Sequence, residues 1–397
     1  MTRTAWMALL LWMMPSAGSG ADDAGITRIA PHPRLPLSAA VKADGLIYLS
    51  GGIALDEEGR VSGDVRAQTR WVLDRHARTL ASAGSSLENV AKVFVYLKSR
   101  DDFQAMNEVY RSYWPTDPPA RTTIEASLPI SDALVEIAMI AIPAGRERTV
   151  VHPAGSTRPA LPYSYGIKSG NTLFLAGLVP RAADNSVVEG DVGTQTRVVL
   201  DRAGEILKAA GMTYSDVVSS RVFLTDAKLF EAMNAAYRPY FPVDPPARAT
   251  VVARLNNPQY LIEITLVAVK DASRRAITAP EADGSPGRAN PNFSSAIQVG
   301  NRLYLAGMLG LTEGSRGDVR AQTREALARL GRTLKAAGFD WSQVADGMVY
   351  LTDVAAFAGL NEGYRGVLSQ GYPARTTIGT GLVLPDAVVE IMLTAAK

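Results

Sequence analysis

The sequence predicts an α+β protein built from three tandem units, each a β-sheet with two helices on one face. Three observations predict this class. An arginine and a glutamate recur at a step of 127 residues, as Arg121 with Glu136, Arg248 with Glu263 and Arg375 with Glu390. Within each unit, runs of β-branched and aromatic residues alternate with amphipathic helical patterns. The period is too long for a solenoid repeat and matches the size of a small domain.

The first unit illustrates how the elements are predicted. Asp64 stands where a helix N-cap is expected, and the apolar spacing after it predicts a helix that ends near Gly84. Residues 103–114 have the pattern of a second amphipathic helix, which a Pro-Pro pair stops because proline cannot continue a helix. Strands are predicted at residues 46–50, 90–97, 121–127 and 133–142.

Two polar segments separate the units. Residues 143–159 and 271–291 are rich in proline, glycine and charged residues, so we interpret both as linkers outside the folded cores. The repeat and these linkers predict units at residues 26–143, 155–270 and 285–397.

The N-terminal segment has a different composition. Arg3 precedes a ten-residue apolar run that Pro15 closes, and small residues follow it. This pattern is typical of a secretory signal peptide, here residues 1–21, and the run is short for a membrane span of about 20 residues. We therefore expect an exported protein, periplasmic or secreted, with no membrane span in the mature chain.

Composition excludes several kinds of site. The chain has no cysteine, so disulfides, thiolate metal ligands and a thiol nucleophile are excluded. Its three histidines, His32, His76 and His152, do not recur between units, so no metal site is predicted. The formal net charge is +2 and no run of Lys or Arg appears, so no nucleic-acid partner is expected.

The repeated arginine opens a predicted strand after a proline-stiffened turn. Strand alternation places Arg121 and Thr123 on one face, and the same Arg and Thr spacing recurs in the other two units. A guanidinium held at a strand start suits bidentate capture of a carboxylate. A structural arginine that binds loop carbonyls or a neighbouring acid is the alternative.

Each repeated glutamate lies in an apolar run. A carboxylate such as Glu136 is therefore expected to be paired or to have a raised pKa. Arg121 is the obvious partner if the last two strands of the unit are neighbours. A structural ion pair and a carboxylate that moves protons or orients a water remain the two interpretations.

An asparagine and a glycine also recur. Asn107, Asn234 and Asn361 precede a tyrosine by three residues in the second helix, where an asparagine either makes an interhelical hydrogen bond or serves a site. Glycine follows the first strand, where it either satisfies a turn or offers backbone N–H groups to an oxyanion.

Jointly, the Pro-Ala-Arg-Thr-Thr stretch, the glutamate fifteen residues later, the glycine turn and the Asn-x-x-Tyr pair resemble the RidA/YjgF family over all three units. The resemblance implies a chorismate-mutase-like unit and a trimer with sites in the clefts between subunits. We therefore predict an intramolecular pseudo-trimer, with the chain as a whole monomeric. It also implies hydrolysis of reactive 2-imino and enamine acids to keto acid and ammonia, with no metal or organic cofactor.

The resemblance assigns roles to matching positions. The family's N-terminal tyrosine is matched by Tyr163 alone, since Leu37 and Phe293 occupy the equivalent positions. At most one cleft would then hold the complete set. The implied catalytic residues are Glu136, Glu263 and Glu390, and the implied substrate-binding residues are Arg121, Arg248, Arg375, Tyr163, Gly51, Gly177, Gly307, Asn107, Asn234, Asn361, Thr123, Thr250 and Thr377.

The residue types fit this chemistry. An arginine that fixes the carboxylate of a 2-imino acid aligns its C=N carbon, and a glutamate within reach can orient a water and accept its proton. A small-molecule carboxylate is thus the expected ligand. The alternative function is a non-catalytic carboxylate-binding or scaffold protein of the same fold.

Overall fold

The computed structural model describes residues 25–397, so the predicted signal peptide at residues 1–21 lies outside the described residues. Unit 1 contains β1 (Thr27–Pro31), β2 (Ser38–Ala43), β3 (Leu46–Gly52), α1 (Val65–Ser82), β4 (Val90–Leu97), α2 (Phe103–Tyr113), β5 (Ala120–Glu125) and β6 (Val135–Ala141). In the described part of the chain, no helix is both long and apolar enough to cross a membrane.

The other two units repeat this order, and unit 3 adds two strands of two residues each. Unit 2 contains β7 (Thr149–Val151), β8 (Gly166–Ser169), β9 (Thr172–Leu175), α3 (Val192–Ala209), β10 (Val217–Leu224), α4 (Phe230–Tyr237), β11 (Ala247–Val252) and β12 (Ile262–Val269). Unit 3 contains β13 (Arg275–Ile277), β14 (Ala296–Val299), β15 (Arg302–Leu305), β16 (Met308–Leu309), α5 (Val319–Ala336), β17 (Val344–Leu351), α6 (Phe357–Arg365), β18 (Ala374–Gly379), β19 (Gly381–Leu382) and β20 (Val389–Ala396).

Local sequence signals account for the helix ends. The Asp64 carboxylate accepts a hydrogen bond of 2.9 Å from the Ala67 backbone N–H and so caps α1. Gly84 follows the helix with φ of +76°, a left-handed conformation that favours glycine. These contacts explain why the predicted helix begins and ends where the sequence indicates.

The strand order corrects one expectation. In unit 1 the order is β1-β2-β3-β6-β4-β5, so β4 lies between β5 and β6 and pairs with both, parallel to β5 and antiparallel to β6. The strands that carry Arg121 and Glu136 are therefore not neighbours. The proposed Arg121–Glu136 partnership within one unit is wrong.

The two segments interpreted as linkers also contribute structure. Residues 149–151 form β7, which pairs with β8, and residues 275–277 form β13, which pairs with β14. These edge strands correspond to β1 of unit 1. The polar composition reflects their place at the sheet edge, where their residues remain partly exposed.

The three units contact one another in a closed ring. The Pro119 carbonyl accepts from the Ser164 N–H at 3.2 Å, Pro246 from Ser294 at 3.4 Å and Pro373 from Ser38 at 2.9 Å. The last contact joins unit 3 back to unit 1, where β18 also pairs with β2 through Ala374 and Ser38.

Each sheet buries both faces. Helices α1 and α2 cover one face of unit 1, with Val72, Leu73 and Tyr110 packed on Ile47 and Val93. The opposite faces of the strands of all three units share one core. Aromatic and aliphatic residues from each unit meet there, among them Phe94, Tyr96, Ile124, Phe174, Phe223, Val251, Tyr350, Ile378 and Met392. The chain thus forms the predicted pseudo-trimer around a common interior.

Candidate active site

The repeated arginines and glutamates meet between units and not within them. Cleft A joins Arg121 of unit 1 to Glu263 of unit 2. Cleft B joins Arg248 to Glu390, and cleft C joins Arg375 to Glu136. Within residues 25–397, no ion pair at 4.0 Å or less links an arginine to a glutamate of these clefts. In each cleft the guanidinium and the carboxyl therefore face each other across a space.

Each arginine is buried and stacked on aromatic rings. The Arg121 guanidinium carbon lies 4.7 Å from the Tyr110 ring centre and 5.9 Å from that of Phe103. Burial lowers the pKa of Arg121 from its usual range, although the group stays charged at neutral pH. Among the described residues, Nη1 of all three arginines has no hydrogen-bond partner, namely in Arg121, Arg248 and Arg375. A buried donor without a partner suits a ligand that accepts hydrogen bonds.

The asparagines lie beside these guanidinium groups. Asn234 Oδ1 accepts from Arg248 Nη2 at 2.7 Å, and Asn361 Oδ1 accepts from Arg375 Nη2 at 2.7 Å. Asn107 instead donates from its amide to the Phe103 carbonyl at 2.8 Å. Their assignment as substrate-binding residues stays a prediction, because in clefts B and C the contact seen is to the arginine.

The glutamates are buried carboxyl groups with raised pKa values. Burial raises the pKa of Glu263 to about 7, and those of Glu136 and Glu390 to about 8. Hydrogen bonds oppose this shift, because the backbone N–H of Thr123, in the neighbouring unit, donates to Glu263. Thr377 and Thr250 do the same for Glu136 and Glu390. Each carboxyl is therefore held in place and poised to exchange a proton near neutral pH.

The threonine hydroxyls face the same space as the arginines. Thr123 lines cleft A and Thr377 lines cleft C. In the described part of the chain, Oγ1 of both has no hydrogen-bond partner. These hydroxyls are open to a ligand, as the strand alternation predicts.

The glycines make room for the glutamates. A Cβ at Gly51 would lie 1.8 Å from Glu136 Oε1, and one at Gly177 or Gly307 would lie 1.9 Å from Oε1 of Glu263 or Glu390. The Gly177 and Gly307 N–H groups donate to the carbonyls of Arg121 and Arg248 at 2.9 and 3.1 Å. The oxyanion interpretation is therefore wrong for these two N–H groups, since they join neighbouring units.

The three clefts differ at the tyrosine position. Tyr163 lines cleft A, which encloses a cavity of about 340 Å³. Leu37 lines cleft C, whose cavity is about 110 Å³. In cleft B the Phe293 ring centre lies 5.8 Å from the Arg248 guanidinium carbon. The Arg, Glu, Thr and Tyr set is complete in cleft A alone, because the other two positions hold leucine and phenylalanine.

A buried lysine stands behind cleft A. Lys92 is 1% exposed, and its Nζ donates to Thr122 Oγ1, Leu175 O and Thr265 Oγ1 at 2.8, 2.6 and 2.7 Å. Burial lowers the pKa of Lys92 well below its usual range, and the Lys92 charge is the largest effect that lowers the pKa of Glu263. Clefts B and C lack this network, because other residues occupy the positions of Lys92, Thr122 and Thr265. In cleft B these positions hold Ser219, Ala249 and Met392. In cleft C they hold Asp346, Thr376 and Ala138.

Sequence reasoning missed two kinds of residue. Phe103, Phe230 and Phe357 all lie against the arginines, and their 127-residue step was a usable signal. Lys92 carried no such signal, since it occurs in one unit only. Residues 25–397 contain no group of three or more histidines, aspartates or glutamates that is placed to hold a metal ion.

Comparison with known proteins shows which family the three units resemble. The model of the Endoribonuclease L-PSP family matches residues 27–143, 155–270 and 285–397. A RutC family protein of Sulfurisphaera tokodaii is 47% identical over 115 residues, which are 28% of this chain and 91% of that protein. The 3-aminoacrylate deaminase RutC of Acinetobacter baylyi is 42% identical over 113 residues, 28% of this chain and 90% of that protein.

Solved structures match in two ways. The match to the YjgF gene product of E. coli has 29% sequence identity and a TM-score of 0.29, and it covers 31% of this chain and 98% of that chain. A chorismatase covers 78% of this chain and 93% of its own at 17% identity, with a TM-score of 0.51. The second likeness concerns the fold alone and extends over more than one unit.

Proposed function

Because the chain belongs to the Endoribonuclease L-PSP family, also known as the RidA/YjgF family, we propose that it is a hydrolytic deaminase of 2-imino and enamine acids. One observation carries the proposal. In cleft A a buried arginine with an open Nη1 faces a buried glutamic acid whose pKa is about 7. The name of the Acinetobacter relative supports an enamine carboxylate as the class of substrate.

The reaction follows from the two groups. Arg121 binds the substrate carboxylate and fixes the C=N carbon, which lowers the entropic cost of attack. Glu263, in its ionised form, takes a proton from a water as the water oxygen bonds to that carbon. That proton passes to the nitrogen and gives a carbinolamine. Glu263 then takes the proton of the carbinolamine hydroxyl and passes it to the nitrogen. The carbon–oxygen double bond forms as the carbon–nitrogen bond breaks, and a 2-keto acid and ammonia leave. No residue of the chain forms a covalent bond to the substrate.

Cleft A is the proposed site of this reaction. It has the larger of the two cavities described above, and its Tyr163 hydroxyl stays neutral because burial raises the pKa of that group. A neutral phenol can donate a hydrogen bond to the carboxylate or to the developing oxyanion. A glutamate pKa near 7 leaves much of Glu263 ionised at neutral pH, which suits a general base.

Ammonia release from a 2-imino acid with a short polar side chain tests the proposal. The substrate is generated in situ from its amino acid by an oxidase, and release is compared with the spontaneous rate. We expect the full chain to accelerate release and Arg121→Met to abolish the acceleration. Arg248→Met is the matched control, since Arg248 is buried and stacked on a tyrosine in the same way.

Two results would count against this function. An Arg248→Met loss equal to that of Arg121→Met would remove cleft A from its assigned role. Tight binding of a stable 2-keto acid with no acceleration of ammonia release by the wild type would favour a non-catalytic carboxylate-binding protein.

We also propose that the mature chain is exported and is monomeric. The N-terminal apolar run supports export, and the ring of contacts between units supports a monomer. N-terminal sequencing of the protein purified from an expressing cell, with light scattering of the same sample, tests both. Retention of residues 1–21, or a stable trimer of whole chains, would contradict them.

A further inference from the structure

Clefts A and C are lined by opposite chemistry at matched positions. Both have the arginine, the threonine and the glutamate, so the difference lies in the residues that surround a ligand beyond its carboxylate. The repeat aligns a subset of the lining residues of the two clefts. At four of these positions an apolar residue of cleft C corresponds to a polar residue of cleft A: Leu37 to Tyr163, Leu55 to Arg181, Pro129 to Asn256 and Ile130 to Asn257.

The polar side chains of cleft A are held by hydrogen bonds. Arg181 donates from Nε to the Tyr260 hydroxyl at 2.5 Å and from Nη1 to the Asn185 carbonyl at 2.6 Å. Asn256 donates from Nδ2 to the Thr123 carbonyl at 2.7 Å, across the boundary between units. These contacts fix a polar wall opposite the arginine that binds the carboxylate.

The matching wall of cleft C is aliphatic. Leu37, Leu55, Pro129 and Ile130 are each half-buried, so their side chains remain accessible to a ligand in the cavity. Phe357 closes the side next to the arginine. A polar substrate group would lose its water there without gaining a partner, whereas an aliphatic group would gain from burial.

Polar side chains also line cleft C and supply the rival expectation, namely His32, Ser50, Arg75, His76 and Thr79. Burial lowers the pKa values of His32 and His76 to about 4, so both imidazoles are neutral at pH 7. Arg75 is a second cation of this cavity. A second cation would favour a dicarboxylate, so a dicarboxylate probe must be part of the test.

We propose that cleft C is a second carboxylate site, specific for 2-oxo or 2-imino acids with an aliphatic side chain, whereas cleft A takes those with a polar side chain. The assignment rests on the carboxylate-binding role proposed for the arginines. In a trimer of identical subunits all three clefts would be identical. One chain with three different units would instead serve two classes of amino-acid-derived substrate through two different clefts.

Binding of stable 2-oxo acids to the full chain tests the assignment. Calorimetric titrations use 4-methyl-2-oxopentanoate as the aliphatic probe, 3-hydroxy-2-oxopropanoate as the polar probe and 2-oxopentanedioate as the dicarboxylate probe. Each buried methylene contributes roughly fourfold in affinity, so we expect the aliphatic probe to bind at least about tenfold tighter than the polar probe at one site. Arg375→Met should remove that site, and Arg121→Met should leave it.

A rim variant guards against loss of folding on removal of a buried arginine. Leu55→Arg introduces the cleft A residue into cleft C without altering the carboxylate anchor. It should weaken the aliphatic probe about tenfold or more and leave the polar probe at cleft A unchanged.

The outcomes separate this inference from the function on which it rests. Loss of the aliphatic site in Arg121→Met and not in Arg375→Met would overturn it, as would preference of cleft C for 2-oxopentanedioate. Equal affinities of both clefts for all probes would overturn the specificity and leave the carboxylate role intact. Absence of binding by any probe would overturn both.

Discussion

Replacement of Gly177 by alanine perturbs the position of Glu263 while both Arg121 and Glu263 keep their own side chains. The added Cβ would lie 1.9 Å from Glu263 Oε1 and 2.9 Å from its Cδ. Cβ contacts under 3.0 Å are essentially never seen, so the oxygen must move from 1.9 Å to at least 3.0 Å, a retreat of about 1.1 Å. The Gly177 backbone is not in the left-handed region, so alanine adds no conformational strain.

A retreat of that size is expected to be costly for catalysis. A misplacement of about 1 Å lowers a rate by roughly 100-fold when the reacting groups depend on alignment. We therefore expect kcat/KM for a 2-imino acid with a polar side chain to fall about 100-fold in Gly177→Ala. The assay is ammonia release from the imine generated in situ, with thermal unfolding measured alongside to confirm that the variant is folded.

The same substitution in another cleft is the matched control. Gly307→Ala displaces Glu390 by the same construction, since its Cβ would also lie 1.9 Å from the carboxylate oxygen. Cleft B is not the proposed site, so this variant should keep most of the activity toward the polar substrate. A folded Gly177→Ala protein with wild-type kcat/KM would refute the reasoning, as would equal losses in both variants.

Three further outcomes are expected. Lys92→Met removes a positive charge that lowers the pKa of Glu263, so the acid limb of the pH profile of kcat/KM should move to higher pH. An unmoved profile would argue against an effect of Lys92 on the pKa of Glu263. Because the folded-state pKa of Glu136 is raised to about 8, wild-type stability should fall as pH rises from 4.5 to 8. Glu136→Gln should be more stable than wild type at pH 9 by a few kcal/mol, about 1.4 kcal/mol per pKa unit, but not at pH 4.5. Equal urea midpoints of the two proteins at both pH values would contradict this prediction. Asn361→Ala breaks a hydrogen bond to a buried guanidinium, so it should lower the free energy of unfolding in urea by roughly 1.5–3 kcal/mol. Asn107→Ala should cost less, because the Asn107 amide binds a backbone carbonyl instead. The reverse order would refute the role of Asn361 in supporting the arginine.

The elements of one unit could be predicted because their signals are local. The strand at 90–97 is found with the predicted bounds, and the helix that Asp64 caps begins at the next residue. The two polar segments were the exception. Their short edge strands have only three residues each, too few for a recognisable pattern, and each buries a single side chain, Val151 or Ile277, while it pairs with β8 or β14.

The partners within the site could not be predicted from one unit. Arg121 and Glu136 lie in consecutive strands of the chain, and their spacing suggested a pair. The sheet inserts β4 between those strands, and the ring of units brings Glu263 opposite Arg121 instead. The repeat identifies Glu263 as a candidate functional residue, but its partner depends on long-range assembly.

Only some of the differences between the units could be predicted from the sequence. The departures at Leu37 and Phe293 from Tyr163 were visible in the sequence and do lie in the clefts. Lys92 was not recognisable, because only the docking of unit 2 on unit 1 brings the Leu175 carbonyl and the Thr265 hydroxyl to its ammonium group. A buried cation of this kind requires partners that are distant along the chain.

A double-mutant cycle tests the central claim, that the site forms between units. The rate of ammonia release from a polar 2-imino acid is measured for Arg121→Met, Glu263→Gln and their combination, beside Glu136→Gln as the same-unit control. We predict that the combination loses no more than the more damaging single variant, because both act in one cleft, and that Glu136→Gln stays within about twofold of wild type. A loss in Glu136→Gln equal to that in Glu263→Gln, with strict additivity of Arg121→Met and Glu263→Gln, would contradict the claim.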